Sequence, residues 1–248
     1  MDVMFRIFMY AIMALAFNII GGFTGYVSFG QVAFYGIGAY TTAISMRTWG
    51  IPIFLTIPLA GALGAVIAAI LGFIVLRLRG SYFVIATIGL TLIIDTLVTN
   101  FKEVTGGGVG ISLPLLPYSM WLIKTIFYYA MLIVMLATIF VSYLIRNSRF
   151  GLFLFSIREN EDAAEAMGVN TTWYKIVAFT VSALFTAMAG GLYAPYMSYI
   201  DPPTVFAIST TIMIVLMTVL GGRGTLLGPV IGAAILICLS DFLIGLIA

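Results

Sequence analysis

The most chemically distinctive residues of this chain form one short charged stretch between two long apolar runs. Residues 158–168 read Arg-Glu-Asn-Glu-Asp-Ala-Ala-Glu-Ala-Met-Gly and contain five charged side chains. Only 8% of the whole chain is charged, against about a quarter in an ordinary soluble domain. This concentration of charge predicts a docking surface for a partner on the aqueous side of a membrane protein.

The charged stretch has the pattern of an amphipathic helix of about three turns. Ser156 and Glu159 fit a capping box that starts a helix near Ile157, and Gly168 is placed to end it in the left-handed conformation. The predicted apolar face holds Ile157, Ala164, Met167 and Gly168, and the predicted charged face holds Arg158, Glu159, Glu161, Asp162 and Glu165. We expect this helix to lie along the interface, within a connection of residues 146–174; a solvated helix without a partner is the alternative.

A second group of candidates consists of polar side chains in or beside apolar segments. A carboxylate inside a membrane span costs a few kcal/mol and is a functional candidate by default. The candidate substrate-pathway residues are Asn18, Ser28, Gln31, Thr87 and Asp95. Hydrogen bonds between helices, worth about 0.6 kcal/mol each, are the alternative role for the uncharged members.

Several kinds of chemistry are excluded by what the sequence lacks. It has no histidine and a single cysteine, Cys238, so neither a Cys/His metal site nor an intrachain disulfide is expected. The glycines of residues 106–110 are not followed by the Lys-Ser/Thr pair of a phosphate-binding loop. We therefore expect no catalytic residues, no cofactor and no metal, and no basic cluster indicates nucleic-acid binding.

The composition predicts an all-α integral membrane protein made of one domain, residues 1–248. The chain is 62% hydrophobic, and a span needs about 20 apolar residues. Hydropathy predicts about eight membrane helices, at residues 4–20, 31–46, 52–76, 81–99, 121–145, 174–197, 205–220 and 229–247. The second and seventh are short and adjoin glycine turns at residues 21–25 and 221–224, which predicts either discontinuous helices lining a pathway or simple tight turns.

The distribution of Lys and Arg predicts the orientation in the membrane. Positive residues are enriched in cytoplasmic connections. Placing the connections 77–80, 146–174 and 221–228 inside collects Arg77, Arg79, Arg146, Arg149, Arg158, Lys175 and Arg223, against Arg6, Arg47, Lys102 and Lys124 outside. This places both termini on the outer face.

The sequence resembles the permease subunits of bacterial ABC importers for branched-chain amino acids, a group that also includes ribose-type permeases. Asp162, Ala163, Ala164 and Gly168 look like the family's Glu-Ala-Ala-x-x-x-Gly coupling signature with Asp in place of Glu, and the preceding Ile157-Arg158-Glu159-Asn160-Glu161 is similar as well. Further similar blocks, in the family's order, occur at residues 15–18, 25–31, 34–40, 77–87, 105–111 and 219–229.

The resemblance implies a role and a set of partners. The chain would be the permease subunit of an ATP-driven importer in a bacterial or archaeal inner membrane, with residues 157–164 and Gly168 coupling it to the motor. The implied partners are two cytoplasmic ATPase subunits, a second permease subunit and an external substrate-binding protein, with ATP hydrolysis left to the ATPases. Urea, short amides or a sugar remain open as substrates, and a passive channel is the alternative from another class.

Two departures from the family pattern stand out. Family members usually have one more span before the first block and one after the last, so a short variant or an incomplete gene product is expected. In the fourth apolar segment the family often has Glu and Arg where this chain has Leu92 and Asp95.

Overall fold

The computed structural model describes residues 1–113 and 119–247, and this part of the chain is almost entirely helical. A two-residue antiparallel ribbon joins β1 (Ile111–Ser112) to β2 (Tyr199–Ile200). The helices are α1 (Asp2–Phe17), α2 (Gln31–Trp49), α3 (Ile53–Val75), α4 (Ser81–Asn100), α5 (Lys102–Thr105), α6 (Met120–Arg146), α7 (Arg149–Glu159), α8 (Glu161–Ala166), α9 (Thr171–Met197), α10 (Pro202–Val205), α11 (Ile208–Gly221) and α12 (Gly228–Ile247).

The prediction of a helical membrane protein is confirmed. Each of the eight apolar segments coincides with a helix. Six stretches within the described residues are long and apolar enough to cross a bilayer: Asp2–Gly22, Ile53–Val75, Ser81–Asn100, Trp121–Arg146, Thr171–Met197 and Pro202–Gly221. The count of about eight spans stays a prediction, because α2 and α12 fall outside this set.

Helix α9 lies at the centre of the bundle, and its backbone is in direct contact with the backbone of α2. A Cβ atom built at Gly38 would lie 1.9 Å from the carbonyl oxygen of Ala187, and one at Gly190 would lie 2.0 Å from that of Tyr35. Helix α3 approaches α9 at the same residue, because a Cβ at Gly64 of α3 would lie 2.5 Å from the Cβ of Ala187. Small residues at these crossings let the backbones approach, as is common between membrane helices.

The first glycine turn is a discontinuity of the helix and not a tight turn. Helix α1 passes into a π-helical turn at Asn18–Gly22, and residues 23–30, the unwound segment, have no regular structure. Helix α2 then begins at Gln31, which hydrogen-bonds Ser182 of α9. Ser182 lies eleven residues into α9, about 16 Å along its axis, so the unwound segment enters the interior of the bundle.

The second glycine turn is a simple tight turn between two helices, which is the other structure that the sequence allows for these glycines. Helix α11 ends at Gly221, Gly222 has a φ of 107°, and α12 begins at Gly228. A Cβ at Gly221 would lie 1.8 Å from the carbonyl oxygen of Gly228, so α11 and α12 form a tight antiparallel hairpin.

The charged residues gather at the two ends of the bundle in the groups that the charge count predicts. At one end Arg6 pairs with Asp241 at 2.7 Å and Lys124 pairs with Asp2 at 2.9 Å. At the other end, which the charge count predicts to be cytoplasmic and which we call the inner end, the connections 77–80, 146–174 and 221–228 meet the unwound segment.

Candidate functional site

The charged stretch is two helices and not one, which corrects the prediction of a single helix from residue 157. Helix α7 starts at Arg149, where Ser148 accepts a hydrogen bond from the backbone N–H of Gly151. The chain is extended at Asn160, whose side chain accepts from the N–H of Ala163 and caps α8. Asparagine is among the strongest helix N-caps, and here it starts a new helix in the middle of the predicted one.

The predicted capping box is therefore wrong. Ser156 lies inside α7, and its hydroxyl group donates to the carbonyl oxygen of Phe153 in the preceding turn. Glu159 is the last residue of α7, so it has no free N-terminus to cap.

The predicted end of the stretch is confirmed. Gly168 has a φ of 85°. Its N–H donates to the carbonyl oxygen of Glu165, and the N–H of Val169 donates to that of Ala164, which together make the Schellman ending of α8. Of the predicted apolar face, Ile157 and Ala164 are buried, but Met167 is 86% exposed and does not hold the helix to the bundle.

Glu161 points into the protein, which corrects its placement on an outward charged face. One carboxylate oxygen accepts a hydrogen bond at 2.6 Å from the ammonium group of Lys175, whose side chain is 2% exposed. The other oxygen accepts from the hydroxyl group of Tyr26 in the unwound segment. Thr171, the first residue of α9, donates to both Glu161 and Glu165. Glu161 therefore joins α8 to the unwound segment and to α9.

The electrostatics of this cluster hold Glu161 in its charged form. Burial alone would raise the pKa of Glu161, but hydrogen bonds from Lys175 and Tyr26 and the charges of Lys175 and Arg79 lower it below the usual 4.5. The pKa of Tyr26 is raised, first by burial and then by its hydrogen bond to Glu161. At neutral pH the cluster is a carboxylate held by an ammonium group and a neutral phenol.

Arg79 ties the linker between α3 and α4 to α8. Its guanidinium group lies 2.5 Å from Asp162, 3.2 Å from Glu165 and 3.6 Å from Glu161. These contacts raise the pKa of Arg79, most strongly the hydrogen bond to Asp162. Arg79 was not among the predicted coupling residues, and the only sequence signal for this role is that its basic connection and the acidic charged stretch are both predicted to be cytoplasmic.

Arg158 and Arg223 hold the carbonyl groups that the first glycine turn leaves free. Arg158 of α7 donates to the carbonyl oxygen of Gly22 at 2.9 Å. Arg223 of the second glycine turn donates to Gly21 at 2.7 Å and to Gly25 at 2.8 Å. Burial, together with the nearby charge of Arg158, lowers the pKa of Arg223. Cations are favourable at this end of α1 because the helix dipole is negative there.

Asn18 joins the two glycine turns and does not lie with the other candidate pathway residues. Its amide group donates to the carbonyl oxygen of Thr225 at 2.8 Å, and its side-chain oxygen accepts from the N–H of Gly224 at 2.8 Å. The structure therefore places Asn18 at the inner end as a bridge between α1 and the α11–α12 turn.

Three of the predicted pathway residues do come together around the deep end of the unwound segment. Ser28 accepts from the N–H of Gly30, and Thr87 of α4 accepts from the N–H of Phe29 at 3.0 Å. Gln31 donates to Ser182 at 2.8 Å and accepts from the hydroxyl group of Thr186 at 2.9 Å.

Two threonines outside the predicted set also contact the deep end of the unwound segment, and we call the whole group of contacts the deep contact. Thr91 of α4 and Thr211 of α11 both direct their hydroxyl groups at the carbonyl oxygen of Phe29, at 3.4 Å. Asp95 lies one turn beyond Thr91 on α4, half-buried, with no hydrogen bond or ion pair to any residue within 1–113 and 119–247.

Two open spaces flank the charged stretch. A cavity of about 450 Å³ lies between the unwound segment, the α3–α4 linker and α7, and residues 24–27, Arg79, Arg158 and Glu161 line it. On the opposite, outward side, a mainly apolar groove of about 570 Å³ runs across the break at Asn160; we call it the docking groove, and Leu152, Phe153, Ala163, Met167 and Val169 line it.

The residues left facing outward differ from the predicted set. Glu159, Asn160 and Ala163 are exposed and line the docking groove, whereas Asp162 is exposed but pairs with Arg79. Arg158 and Glu161 are instead committed to contacts within the chain. In the described part of the chain no group of His, Cys, Asp or Glu is arranged to hold a metal ion.

Comparison with known proteins gives a consistent set of relatives. The family model described as the permease component of branched-chain amino acid transport systems matches residues 1–248. The chain is similar to the high-affinity branched-chain amino acid transport system permease protein LivM of Salmonella typhimurium, with 32% identity over 95% of this chain and 61% of the relative. The Escherichia coli LivM gives 31% identity over 92% of this chain and 60% of the relative.

A more distant similarity extends to a sugar permease. The ribose import permease protein RbsC of Haemophilus influenzae is 25% identical over 81% of this chain and 64% of the relative. The chain thus spans about 60% of the length of the LivM relatives it matches. No solved structure matches the chain.

Proposed function

The chain belongs to the family of branched-chain amino acid permease components, and we propose that it is the membrane subunit of an ATP-driven importer for branched-chain or related apolar amino acids. It works in the inner membrane together with two ATPase subunits, a second permease subunit and an external binding protein. The observation that carries this proposal is the Glu161 cluster, which ties the exposed charged stretch to a discontinuous helix in the bundle.

The docking groove is the surface that we assign to the ATPase. It is mainly apolar, and Glu159 and Asn160 also line it, so an apolar side chain of the motor can enter it while a cation faces Glu159. Charged rims of this kind set orientation and association rate more than affinity. The small side chain of Ala163 leaves the groove open at its middle.

Movement of the docked segment reaches the bundle through contacts within the chain. A displacement of α8 acts on Tyr26 through Glu161, and a displacement of α7 acts on Gly22 through Arg158. The unwound segment continues from these contacts to Phe29, whose backbone is held by Thr87 and Thr91 of α4. Since this segment lacks helical hydrogen bonds, it can change shape without breaking a regular helix.

The translocation path for an apolar substrate needs few polar contacts. The deep contact around Ser28, Gln31 and Thr87 consists of uncharged groups that are already hydrogen-bonded within the chain. We propose that this contact opens when the unwound segment moves; a place for Asp95 in the substrate path stays a prediction. Affinity then resides in the binding protein.

The ATPase assignment is tested by blocking the docking groove. Ala163→Trp places a large side chain at an exposed position in the groove, so we expect normal yield of the chain but loss of copurifying ATPase and of ATP-dependent leucine uptake in proteoliposomes. Glu103→Trp, at an exposed position of the opposite end, is the matched control. If Ala163→Trp keeps the ATPase bound and uptake unchanged, the docking assignment is wrong.

The transmission step is tested separately with Tyr26→Phe. This variant removes only the hydroxyl group that joins the unwound segment to Glu161 and Lys175. We expect the ATPase to remain bound and to hydrolyse ATP, with fewer leucine molecules moved per ATP. An unchanged ratio of transport to hydrolysis contradicts the proposed route.

The same proteoliposomes separate the substrate alternatives. We expect competition with labelled leucine by isoleucine and valine, and none by ribose, urea or short amides. Competition by ribose alone would instead favour the sugar permeases to which the chain has a weaker similarity. Equal uptake with and without ATP and ATPase would indicate a passive channel.

A further inference from the structure

A long apolar groove separates α3 from α4, although only five residues connect the two helices. It encloses about 710 Å³, and α3, α4 and Ile37 of α2 line it with apolar side chains only. Ile70 and Ile93 are each more than 60% exposed on its two walls. Nothing in the described part of the chain fills this space.

The groove is long enough to hold an acyl chain of one leaflet of a bilayer. On the α4 side it extends over the thirteen residues from Ala86 to Val98, or about 18 Å. Half of the hydrocarbon core of a bilayer is about 15 Å. The groove begins at Val75, next to the inner-end linker, and continues on α4 past the middle of that helix, so its Val75 end lies in the half of the membrane that faces the coupling residues.

A cation without a partner in the described part of the chain, Arg77, lies two residues beyond Val75, the groove residue nearest the inner end. Arg77 is exposed and makes no ion pair or hydrogen bond with residues 1–113 or 119–247; its guanidinium group rests 4.5 Å from the centre of the Phe73 ring. The neighbouring Arg79 is by contrast saturated with three carboxylates. Helix α4 also begins here without a side-chain cap, which leaves backbone N–H groups directed at the same linker.

We infer that this groove binds an anionic phospholipid of the inner leaflet, with an acyl chain between α3 and α4 and the phosphate group at Arg77. An exposed cation next to an apolar groove complements a phospholipid, which carries a negative phosphate group above apolar acyl chains. Basic pockets between membrane helices on the cytoplasmic side are known to bind such headgroups. This assignment does not rest on the proposed transport function.

The groove contains a position that allows a clean test. A Cβ atom built at Gly89 on the groove wall meets no atom within 4 Å. Gly89→Leu therefore occupies the space of the acyl chain without disturbing the packing of the protein. Gly245 is equally open on α12, far from the groove in sequence, so Gly245→Leu is the matched control.

The experiment measures lipid binding to the delipidated full chain in detergent by native mass spectrometry. Phosphatidylglycerol, phosphatidylcholine and glycerol 1-phosphate are titrated against the wild type, Arg77→Gln and Gly89→Leu. We expect one phosphatidylglycerol to bind in preference to phosphatidylcholine, with a five- to tenfold weakening in Arg77→Gln and loss of the bound lipid in Gly89→Leu. Arg146→Gln, which removes an inner-end cation remote from the groove in sequence, and Gly245→Leu should bind as the wild type does.

Three results would overturn the inference. Equal binding of both lipids, unaffected by Arg77→Gln, would show ordinary annular lipid. Binding of glycerol 1-phosphate as strong as that of the lipid would show a phosphate site without the groove. Phosphatidylglycerol bound to Gly89→Leu as tightly as to the wild type would show that the acyl chain does not occupy the groove.

Discussion

Lys175 and Glu161 form a buried ion pair at 2.6 Å that fastens the first turn of α9 to α8. Lys175 also donates to the carbonyl oxygen of Leu76 and to the hydroxyl group of Tyr26. One ammonium group thus holds the α3–α4 linker, the unwound segment and the coupling residues together. The ion pair therefore connects three segments at the inner end, and its removal should lower the stability of the chain and impair transport.

Glu161→Gln should destabilise the folded chain strongly. It leaves Lys175 charged and only 2% exposed, and removal of one partner of a buried pair costs about 3–5 kcal/mol. The lower melting temperature is measured by thermal unfolding in detergent with intrinsic fluorescence.

Asp162→Asn is the matched control for this variant, because its carboxylate also contacts Arg79 but its side chain is 80% exposed. Exposed pairs contribute about 0–1 kcal/mol, so this change should shift the melting temperature little. Similar losses in the two variants would contradict the buried role of Glu161.

The stability of the chain should fall in acid because of Glu161. Its pKa is lowered on folding, so its contribution is complete above pH 4.5, the ordinary value, and is lost as the pH falls through the lowered value. Melting temperatures measured from pH 7 to pH 3 should decline more steeply in the wild type than in Glu161→Gln. Parallel curves for the two proteins would refute this assignment.

Asn18→Ala should loosen the contact between the two glycine turns. It removes a donor to Thr225 and an acceptor from Gly224 in a buried setting, where an unsatisfied group costs about 1–3 kcal/mol. Hydrogen exchange measured by mass spectrometry should increase in both glycine turns. The control is Asn100→Ala, because the amide group of Asn100 is exposed and donates only to Thr96 within its own helix. Unchanged exchange in both glycine turns of Asn18→Ala would argue against the bridge.

Gly38→Ala should separate α2 from α9. The added methyl group would lie 1.9 Å from a backbone oxygen that cannot move without its helix, and overpacking of this kind typically costs about 1–3 kcal/mol. Gly89→Ala meets open space on α4 and should change the unfolding free energy by less than about 0.5 kcal/mol. Equal effects in a thermal-unfolding assay would show that the two helices do not touch at Gly38.

The helices themselves could be predicted because hydropathy is a local property of the sequence. Each apolar segment became a helix, and the left-handed ending at Gly168 followed from a residue type that tolerates positive φ. The charge count likewise grouped the connections of the inner end correctly.

The contacts of the inner end could not be predicted because they join residues far apart in the chain. Arg223 binds Gly21 across 202 positions, and Lys175 binds Tyr26 across 149. The break at Asn160 also changes the helical phase, so the face calculated for one continuous helix sent Glu161 outward when it points inward. Asn160, a strong N-cap residue inside the amphipathic pattern, is the sequence signal for this break.

The bridge between Asn18 and Thr225 has a consequence for how the protein is made. Helix α1 leaves the ribosome well before residues 223–225 are synthesised. Until then, the carbonyl groups at its carboxyl end lack their Arg223 partner. Only when the α11–α12 hairpin has been inserted can Arg223 reach Gly21. This inner-end contact therefore forms late relative to α1, and nascent chains stalled before that hairpin should be preferred substrates of membrane proteases.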